Sequence, residues 1–217
     1  MTTDTSSSES PAADPPAADP PAAGTSAPAV PAASVLLLRE GGAGIEVLAF
    51  QRHGSHRAFA GVLAFPGGKV MDSDHDPAIR DMADGAADLS DRALAHRATG
   101  VRELFEECGV LLARDGSGEI VGGDRARALW PLRGPLDRGE LPLAVDLMEH
   151  YSNWVTPPFR PKRFDTHFLV APAPEGQEID HPGTEADEVF WVRPHDILEE
   201  VDAFRRRMMF TTYSNLN

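Results

Sequence analysis

Residues 101–110 restrict the fold of this chain more than any other segment, because their side chains divide into two faces on an α-helix of about 100° per residue. The apolar face consists of Val101, Leu104, Phe105 and Cys108. The opposite face carries three carboxylates, those of Glu103, Glu106 and Glu107. The helical pattern extends over residues 91–112, and Gly109 is well placed as a C-cap. The segment therefore predicts an amphipathic helix that packs against a core.

Strand-like runs precede and follow this helix. The apolar runs 35–38 and 45–50 are separated by a glycine-rich stretch, which predicts a hairpin, and a third run at 62–65 stops at a Pro-Gly-Gly sequence. Further strands are predicted at 163–171 and 188–192, and further helices at 123–129, at 143–150 and from Pro194. This order predicts an α/β (α+β) domain with a mixed sheet and a central helix.

The first 33 residues differ in composition from the rest of the chain. They repeat Pro-Ala-Ala-Asp-Pro and contain no Lys, no Arg and no aromatic residue. Such a segment buries too little apolar surface to offset its ordering entropy, so we expect a disordered tail over residues 1–33. It also lacks the basic start and apolar run of a secretory signal. The domain is expected at 34–217, with a polar surface insertion at about 75–93.

Charge and composition argue against several partners. The chain has 217 residues with 34 acidic and 20 basic side chains, a formal net charge of −14. Nucleic-acid backbones need a basic field, and no apolar run approaches the roughly 20 residues of a membrane span, so neither a nucleic acid nor a membrane is expected as partner. A single cysteine, Cys108, excludes an internal disulfide and a multi-cysteine zinc site. We expect a cytoplasmic protein with a small-molecule partner.

The acidic helix face has a chemical interpretation. Three carboxylates at i, i+3 and i+4 repel one another unless a positive group lies against them, and oxygen ligands of this kind suit Mg²⁺ or Mn²⁺. Upstream, Gly67 and Gly68 end a strand and allow backbone groups to approach a ligand closely. A glycine loop leading to a carboxylate-lined helix predicts a site for a metal-bridged pyrophosphate. For the helix by itself, a solvated acidic face is the alternative.

These residues resemble the signature of Nudix hydrolases, GX5EX7REUXEEXGU, where U is a bulky aliphatic residue. The second half matches without a gap, at Arg102, Glu103, Leu104, Glu106, Glu107, Gly109 and Val110. The first half matches at Gly68, but Asp74 stands where the family usually has Glu, and residues 75–101 replace a seven-residue spacer. The resemblance covers roughly residues 34–210. It implies a Nudix-like α/β/α sandwich and a hydrolase acting on phosphoanhydrides.

An interrupted signature is similar to one branch of the family, which includes a peroxisomal coenzyme A (CoA) diphosphatase. Residues 154–157 (Trp-Val-Thr-Pro) and 163–168 (Arg-Phe-Asp-Thr-His-Phe) resemble segments of that branch, and residues 185–192 resemble the strand that closes a Nudix domain. CoA-directed members often carry an R-x-x-x-x-R-x-H-x-G element. Arg52, Arg57 and Gly61 have its spacing, whereas Phe59 replaces the histidine. CoA and acyl-CoA are therefore candidate substrates.

The resemblance also implies roles for the residues of the helix. Glu103, Glu106 and Glu107 would bind the metal, with the backbone of Gly68 as a helper. Glu103, Glu106 and Arg102 form the catalytic set, in which Arg102 holds a loop or a glutamate rather than touching substrate. The carboxylate that acts as general base differs among relatives and stays open.

Residues outside the helix are assigned by the same resemblance. Arg52 and Arg57 are candidates for binding a substrate phosphate, with surface salt bridges as the alternative. A late loop could supply a further acid from Glu185 or Glu188.

Three functions follow from these observations. The first is metal-dependent hydrolysis of a nucleoside diphosphate linked to another moiety. The second is pyrophosphohydrolysis of damaged nucleotides (dNTPs). The third is a Nudix-like binding or sensor domain without turnover, which Asp74 keeps open while the intact glutamates favour catalysis. Nudix domains are commonly dimers, so a homodimer is a further expectation.

Overall fold

The computed structural model describes residues 27–52, 61–129, 141–179 and 186–217. The helices are α1 (Ala78–Met82), α2 (Asp91–Cys108), α3 (Gly123–Leu129), α4 (Pro194–Asp202) and α5 (Phe210–Leu216). The strands are β1 (Val30–Gly41), β2 (Gly44–Arg52), β3 (Val62–Ala64), β4 (Gly67–Lys69), β5 (Glu149–Val155), β6 (Phe164–Pro172), β7 (Ala186–Val192) and β8 (Arg207–Met208). Short 3-10 helices cover Asp72–His75 and Val145–Leu147.

The strands of the described ranges form one mixed sheet. Its order is β5-β6-β1-β2-β3-β8, with β4 paired to β1 and β7 paired to β2. Strand β1 runs parallel to β6 from the Val30–Phe164 pair onward, and its other edge is shared between β4 and β2. Residues Gly67–Lys69 therefore lie beside the first half of β1, opposite Ala32–Ser34.

Helix α2 covers one face of this sheet. Val35, Leu37 and Leu169 point from the sheet into the same core cluster as Leu104 and Phe105 of the helix. The opposite face carries a smaller cluster of Leu36, Val47, Phe65 and Phe168, against which Leu216 of α5 packs. The alternation of odd and even strand residues between the two faces is the cause of this layering. It confirms the predicted fold class, a mixed sheet with helices in an α+β domain.

Close packing of α2 on the sheet depends on Gly100. A Cβ atom at this position would lie 3.0 Å from Val35 Cγ2 and 3.1 Å from Met148 Cε, so even alanine would require these side chains to shift by a few tenths of an ångström.

Most of the predicted elements are confirmed. The hairpin, the strand near 62–65, the helix at 123–129, the strands near 163–171 and 188–192, and the helix from Pro194 all occur. The central helix begins at the predicted Asp91 and ends at Cys108, with Gly109 as its C-cap.

Three predictions differ from the structure at specific places. The helix predicted at 143–150 is a 3-10 turn followed by β5, because backbone pairing with β6 outweighs the helix-like spacing of apolar residues. Order begins before the predicted boundary at Ser34, since Val30 already pairs with Phe164. The polar insertion is also not wholly on the surface, because Ile79 and Ala86 are buried. Within the described ranges, none of the helices is long and apolar enough to cross a membrane.

Candidate catalytic site

Helix α2 is fixed at both of its ends, which sets the direction of its acidic face. Ser90 Oγ accepts a hydrogen bond from the Ala93 N–H at 3.2 Å, as an N-cap does. At the other end Gly109 adopts φ 69°, and its N–H donates to the Leu104 and Phe105 carbonyls. Between these caps the apolar face is buried in the core, and the three glutamates point away from it.

The glycine strand β4 lies directly against these glutamates. A Cβ atom at Gly68 would overlap the Glu103 carboxylate, so a larger residue would displace this carboxylate from the β4 backbone. The Gly67 N–H donates to Glu107 Oε2 at 2.8 Å. The structure thus brings together Gly67, Gly68, Glu103 and Glu107, which the sequence predicted to lie near one another.

Asp74 is the buried anchor of the site. Its side chain is 1% exposed and accepts hydrogen bonds from Arg102 Nε at 3.1 Å and Arg102 Nη2 at 2.9 Å. The Thr99 hydroxyl at 2.7 Å and the Met71 N–H at 2.9 Å also donate to Asp74. The insertion after Asp74 therefore leaves the contact between this acid and the helix intact.

Arg102 connects Asp74 to the glutamates and to β4. Its Nη1 lies 2.7 Å from Glu103 Oε1 and 3.2 Å from Glu106 Oε2, and its Nη2 donates to the Lys69 carbonyl at 3.0 Å. Burial opposes the charge of Arg102, but the hydrogen bonds and charges of Asp74 and Glu103 outweigh it and raise its pKa. The guanidinium is therefore a permanent cation that orients carboxylates.

The chemistry of this site fits a hard divalent cation. The side chains that could bind one are all carboxylates, and the absence of a Gly68 side chain leaves Glu103 in contact with the β4 backbone. In the described ranges, however, no three acidic, histidine or cysteine side chains already stand in a metal-binding arrangement. The reason is that Glu103 and Glu106 turn to Arg102, and Glu107 turns to the Gly67 N–H. Ligation would require these side chains to exchange partners.

The other residues that the sequence singled out are either outside the described part of the structure or away from the α2 glutamates. The Arg52 side chain and residues Arg57, Phe59 and Glu185 lie outside the described part of the structure. Glu188 forms an ion pair with Arg206 at 3.2 Å, and the two are solvent-accessible. Cys108 is buried, and burial, with the charge of Glu107, raises its pKa, so the thiol is a packing group.

A histidine cluster that the sequence analysis did not predict lies at the other end of α2. The His167 ring centroid lies 4.0 Å from that of His96 and 5.1 Å from that of His150. Arg92 Nη2 contacts His167 Nε2 at 3.1 Å and donates to Asp165 at 2.6 Å. These residues come from three separated segments, so only the fold brings them together. A groove of about 470 Å³ lies near the opposite end of β1, where Leu38, Arg39 and Glu40 are among its lining residues, and the α2 glutamates do not line it.

Comparison with known proteins gives the following likenesses. No protein-family model and no curated protein sequence matches the chain. The crystal structure of a NUDIX hydrolase from Alicyclobacillus acidocaldarius is similar, with 29% identity, 87% of this chain and 90% of that chain covered, and a TM-score of 0.71. A MutT NUDIX hydrolase from Burkholderia pseudomallei shares the fold. It is 14% identical, the match covers 88% of this chain and 97% of that chain, and the TM-score is 0.51. The first likeness supports a hydrolase acting on phosphorus-containing anhydrides.

Proposed function

We propose that this chain, which has the Nudix fold, is a divalent-metal-dependent hydrolase of the phosphoanhydride bond in a nucleoside diphosphate linked to another moiety. The observation that carries the proposal is the contact of the three-glutamate face of α2 with the glycine strand β4, fastened by the Asp74–Arg102 pair. A solvated acidic face would need neither the glycine contact nor a buried arginine.

The metal would be held by Glu103, Glu106 and Glu107, with backbone carbonyls near Gly68 as helpers. Mg²⁺ or Mn²⁺ is the proposed ion, because the side-chain ligands are carboxylates. When bound, such an ion neutralises phosphate charge and lowers the pKa of a bound water.

The chain's own residues position and deprotonate the attacking water. A glutamate of the α2 face takes a proton from the water as the water oxygen bonds to one phosphorus atom. The bond from that phosphorus to the bridging oxygen breaks, and the bridging oxygen keeps the electron pair and stays on the other phosphate. Arg102 acts as a positioning residue, since it contacts Glu103, Glu106 and the Lys69 carbonyl together. Arg52 and Arg57 stay candidates for binding a substrate phosphate.

CoA and acyl-CoA are the substrates proposed from the interrupted signature. A cytoplasmic location and a homodimer are proposed with them. The sensor alternative rested on Asp74 in place of Glu. Asp74 reaches Arg102 through both carboxylate oxygens, so the shorter side chain gives no reason to expect loss of turnover. Hydrolysis of damaged dNTPs is retained as an outcome of the test.

The test is a product assay with CoA, NADH, ADP-ribose and dNTPs, in Mg²⁺ or Mn²⁺ and in chelator. We expect turnover of at least one diphosphate when the metal ion is present, and no turnover in chelator. Glu106→Gln is expected to abolish turnover without changing the circular dichroism spectrum, since it removes one proposed ligand. The matched control is Glu119→Gln, at an exposed position outside α2.

Two results would contradict the proposal. Tight binding of one compound without turnover of any would establish the sensor alternative. Substantial activity in Glu106→Gln would locate the metal site elsewhere.

A further inference from the structure

Two rings of the histidine cluster, those of His96 and His167, are held in the uncharged form. His96 is 2% exposed, and its Nδ1 atom lies 2.6 Å from the Arg92 carbonyl, so Nδ1 carries the ring proton. The Nε2 atom of His96 is buried and has no hydrogen-bond partner among the described residues. His167 Nε2 lies 3.1 Å from Arg92 Nη2, which donates to it, so this nitrogen also carries no proton. Each ring therefore has one unprotonated nitrogen within the cluster.

A second proton on either ring is poorly accommodated by this packing. On His167 Nε2 it would point at the Arg92 guanidinium, and on His96 Nε2 it would be buried without a partner in the part of the chain that the structure describes. Asp165 is a carboxylate that acts on both rings, but one of its oxygens accepts from Arg92 Nη2 at 2.6 Å and the other from Asn153 Nδ2 at 2.7 Å. Because the two ring centroids are 4.0 Å apart, two protonated rings would also repel each other. The packing therefore favours neutral rings.

The charged groups around these rings come from four neighbouring segments. Arg92 lies on α2, Asp165 on β6, His150 on β5 and His75 on the 3-10 helix that follows β4. Arg92 is charged at neutral and at acidic pH, whereas His150 and His75 become charged in acid. Acidification thus adds positive charge on several sides of the cluster, and Asp165 supplies the negative charge that opposes it. The contact of α2 with the 3-10 helix is therefore weakened as the pH falls.

The same two segments, α2 and the 3-10 helix, carry the anchor of the catalytic site. His75 directly follows Asp74, and His96 precedes Thr99 by about one helical turn. The Thr99 hydroxyl contacts Asp74 Oδ2 at 2.7 Å, and Asp74 binds the Arg102 guanidinium that orients the glutamates. Charge repulsion between α2 and the 3-10 helix therefore acts directly on the contact between Thr99 and Asp74.

We propose that the histidine cluster is a proton-operated switch that inactivates the catalytic site in mild acid. Protonation of the His96 and His167 rings moves the first half of α2 away from the 3-10 helix and breaks the contact between Thr99 and Asp74. Arg102 then loses part of its support, while the strands of the sheet stay paired. The transition falls below about pH 6.5, because a histidine exposed by this opening binds its proton there. The inference rests on the proposed function, since the site that it regulates is that of the proposed hydrolase.

Hydrogen exchange followed by mass spectrometry tests this opening without any turnover. Between pH 7.5 and pH 5.5, after correction for the intrinsic pH dependence of exchange, the amides of residues 91–99 are expected to lose protection. The loss is about tenfold for each histidine that gains a proton on opening. At pH 5.5 these amides are expected to be less protected than those of β1, which distinguishes local opening from unfolding of the domain. Equal protection of the two segments at pH 5.5 would overturn the inference.

Two variants test whether the histidines cause the opening. His167→Gln keeps an oxygen that accepts from Arg92 but takes up no proton, so the loss of protection is expected to be about tenfold smaller than in the wild-type protein. His96→Gln is expected to have the same effect. His195→Gln is the control, because His195 is 80% exposed on α4. The inference would also be overturned if residues 91–99 lost as much protection in both cluster variants as in the wild-type protein.

The acid side of the pH–activity profile separates the switch from the proposed function. Protonation of a single catalytic glutamate removes activity with the slope of one proton, whereas the switch adds further protons and makes the fall in kcat steeper. His167→Gln is expected to have a shallower slope and a kcat at pH 7.5 close to that of the wild-type protein. If no substrate is hydrolysed but residues 91–99 lose protection as expected, the proposed hydrolysis fails and the proton-driven opening stands. If substrates are hydrolysed with the same acid slope in His167→Gln and the wild-type protein, the switch fails.

Discussion

At the level of single residues, Asp74 and Arg102 form the pair on which the geometry of the glutamates depends. Their side chains are 0% and 7% exposed, and Arg102 contacts both Glu103 and Glu106. Removing one partner of a buried ion pair leaves the other charge without compensation, which is the costly change at such a site.

Asp74→Asn is therefore expected to lower the free energy of unfolding by about 3–5 kcal/mol, because the Arg102 guanidinium stays buried beside a neutral amide. Denaturant titration at pH 7.5 measures this value. Asp84→Asn is a suitable control, since the Asp84 side chain is 50% exposed and forms an ion pair with Arg114 at 3.2 Å. Equal stability of Asp74→Asn and the wild-type protein would show that the Asp74–Arg102 pair does not contribute this free energy of unfolding.

Gly68→Ala is expected to reduce kcat by about 10- to 100-fold, because the new methyl group would displace the Glu103 carboxylate. Steady-state kinetics measures the loss. Gly42→Ala is the matched control, since a Cβ atom there would meet nothing within 4 Å. Unchanged kcat in Gly68→Ala would place the reaction away from this contact.

At the level of elements, α2 connects two clusters of opposite character. Its C-terminal half carries the glutamates, and its N-terminal half packs His96 against His167, which also contacts His150 and Arg92. The His96 Nδ1 atom contacts the Arg92 carbonyl at 2.6 Å, while Nε2 is buried without a hydrogen-bond partner in the described ranges. Asp165 is the acid that faces this cluster, and His75 approaches it from the insertion.

Acid is expected to destabilise this half of the helix. Burial, together with His96 and Arg92, lowers the pKa of His167 to about 4, and burial lowers the pKa of His96 from 6.5. The unfolded chain thus binds these protons near pH 6.5 and the folded chain only at lower pH, so stability falls as the pH drops from about 6.5 to about 4. For His167 the loss is about 1–2 kcal/mol, allowing for the solvent that reaches part of the ring.

Denaturant titrations at pH 7.5, 6.0 and 5.0 check this pH dependence. His167→Gln is expected to show a smaller fall in stability than the wild-type protein over this range. His195→Gln is the control, because His195 is 80% exposed and lies 3.3 Å from Glu199. An identical pH profile for His167→Gln and the wild-type protein would contradict the assignment.

The sequence predicted those features whose signal is local. The two faces of α2 and its C-cap follow from spacing and from one glycine, and both are confirmed. Residues 143–150 were predicted as a helix, but they form a 3-10 turn and the first two residues of β5, whose pairing with β6 is not encoded in the local periodicity. The histidine cluster and the Thr99–Asp74 contact unite segments far apart in the chain, so no single window of sequence contains them.

At the level of the whole molecule, the first residues of β1 join three parts of the fold. Val30 pairs with Phe164 of β6, Ala32 and Ala33 pair with β4, and the Val30 N–H donates to the Arg163 carbonyl at 2.9 Å. The boundary of the folded unit is therefore proposed at residue 27, with the preceding residues as the tail.

Two truncations test this boundary. Removal of residues 1–26 is expected to leave the Tm unchanged, because β1 and its contacts are retained. Removal of residues 1–33 is expected to lower the Tm by about 5 °C or more, since it deletes backbone pairs to both β4 and β6. Equal Tm values for the two truncations would show that the first four residues of β1 are dispensable, and thermal unfolding by circular dichroism measures both.

The parallel pairing of β1 with β6 also has a consequence during synthesis. Well over half of the chain lies between Val30 and Phe164, so β1 leaves the ribosome long before its partner exists. At about 5–20 residues per second this interval is on the order of 10 s. During this interval the Val35-Leu36-Leu37 segment, which is buried in the folded protein, lacks β6 as its neighbour on one edge. We expect nascent chains to recruit a holding chaperone at β1, and refolding from denaturant to be limited by closure of this long loop.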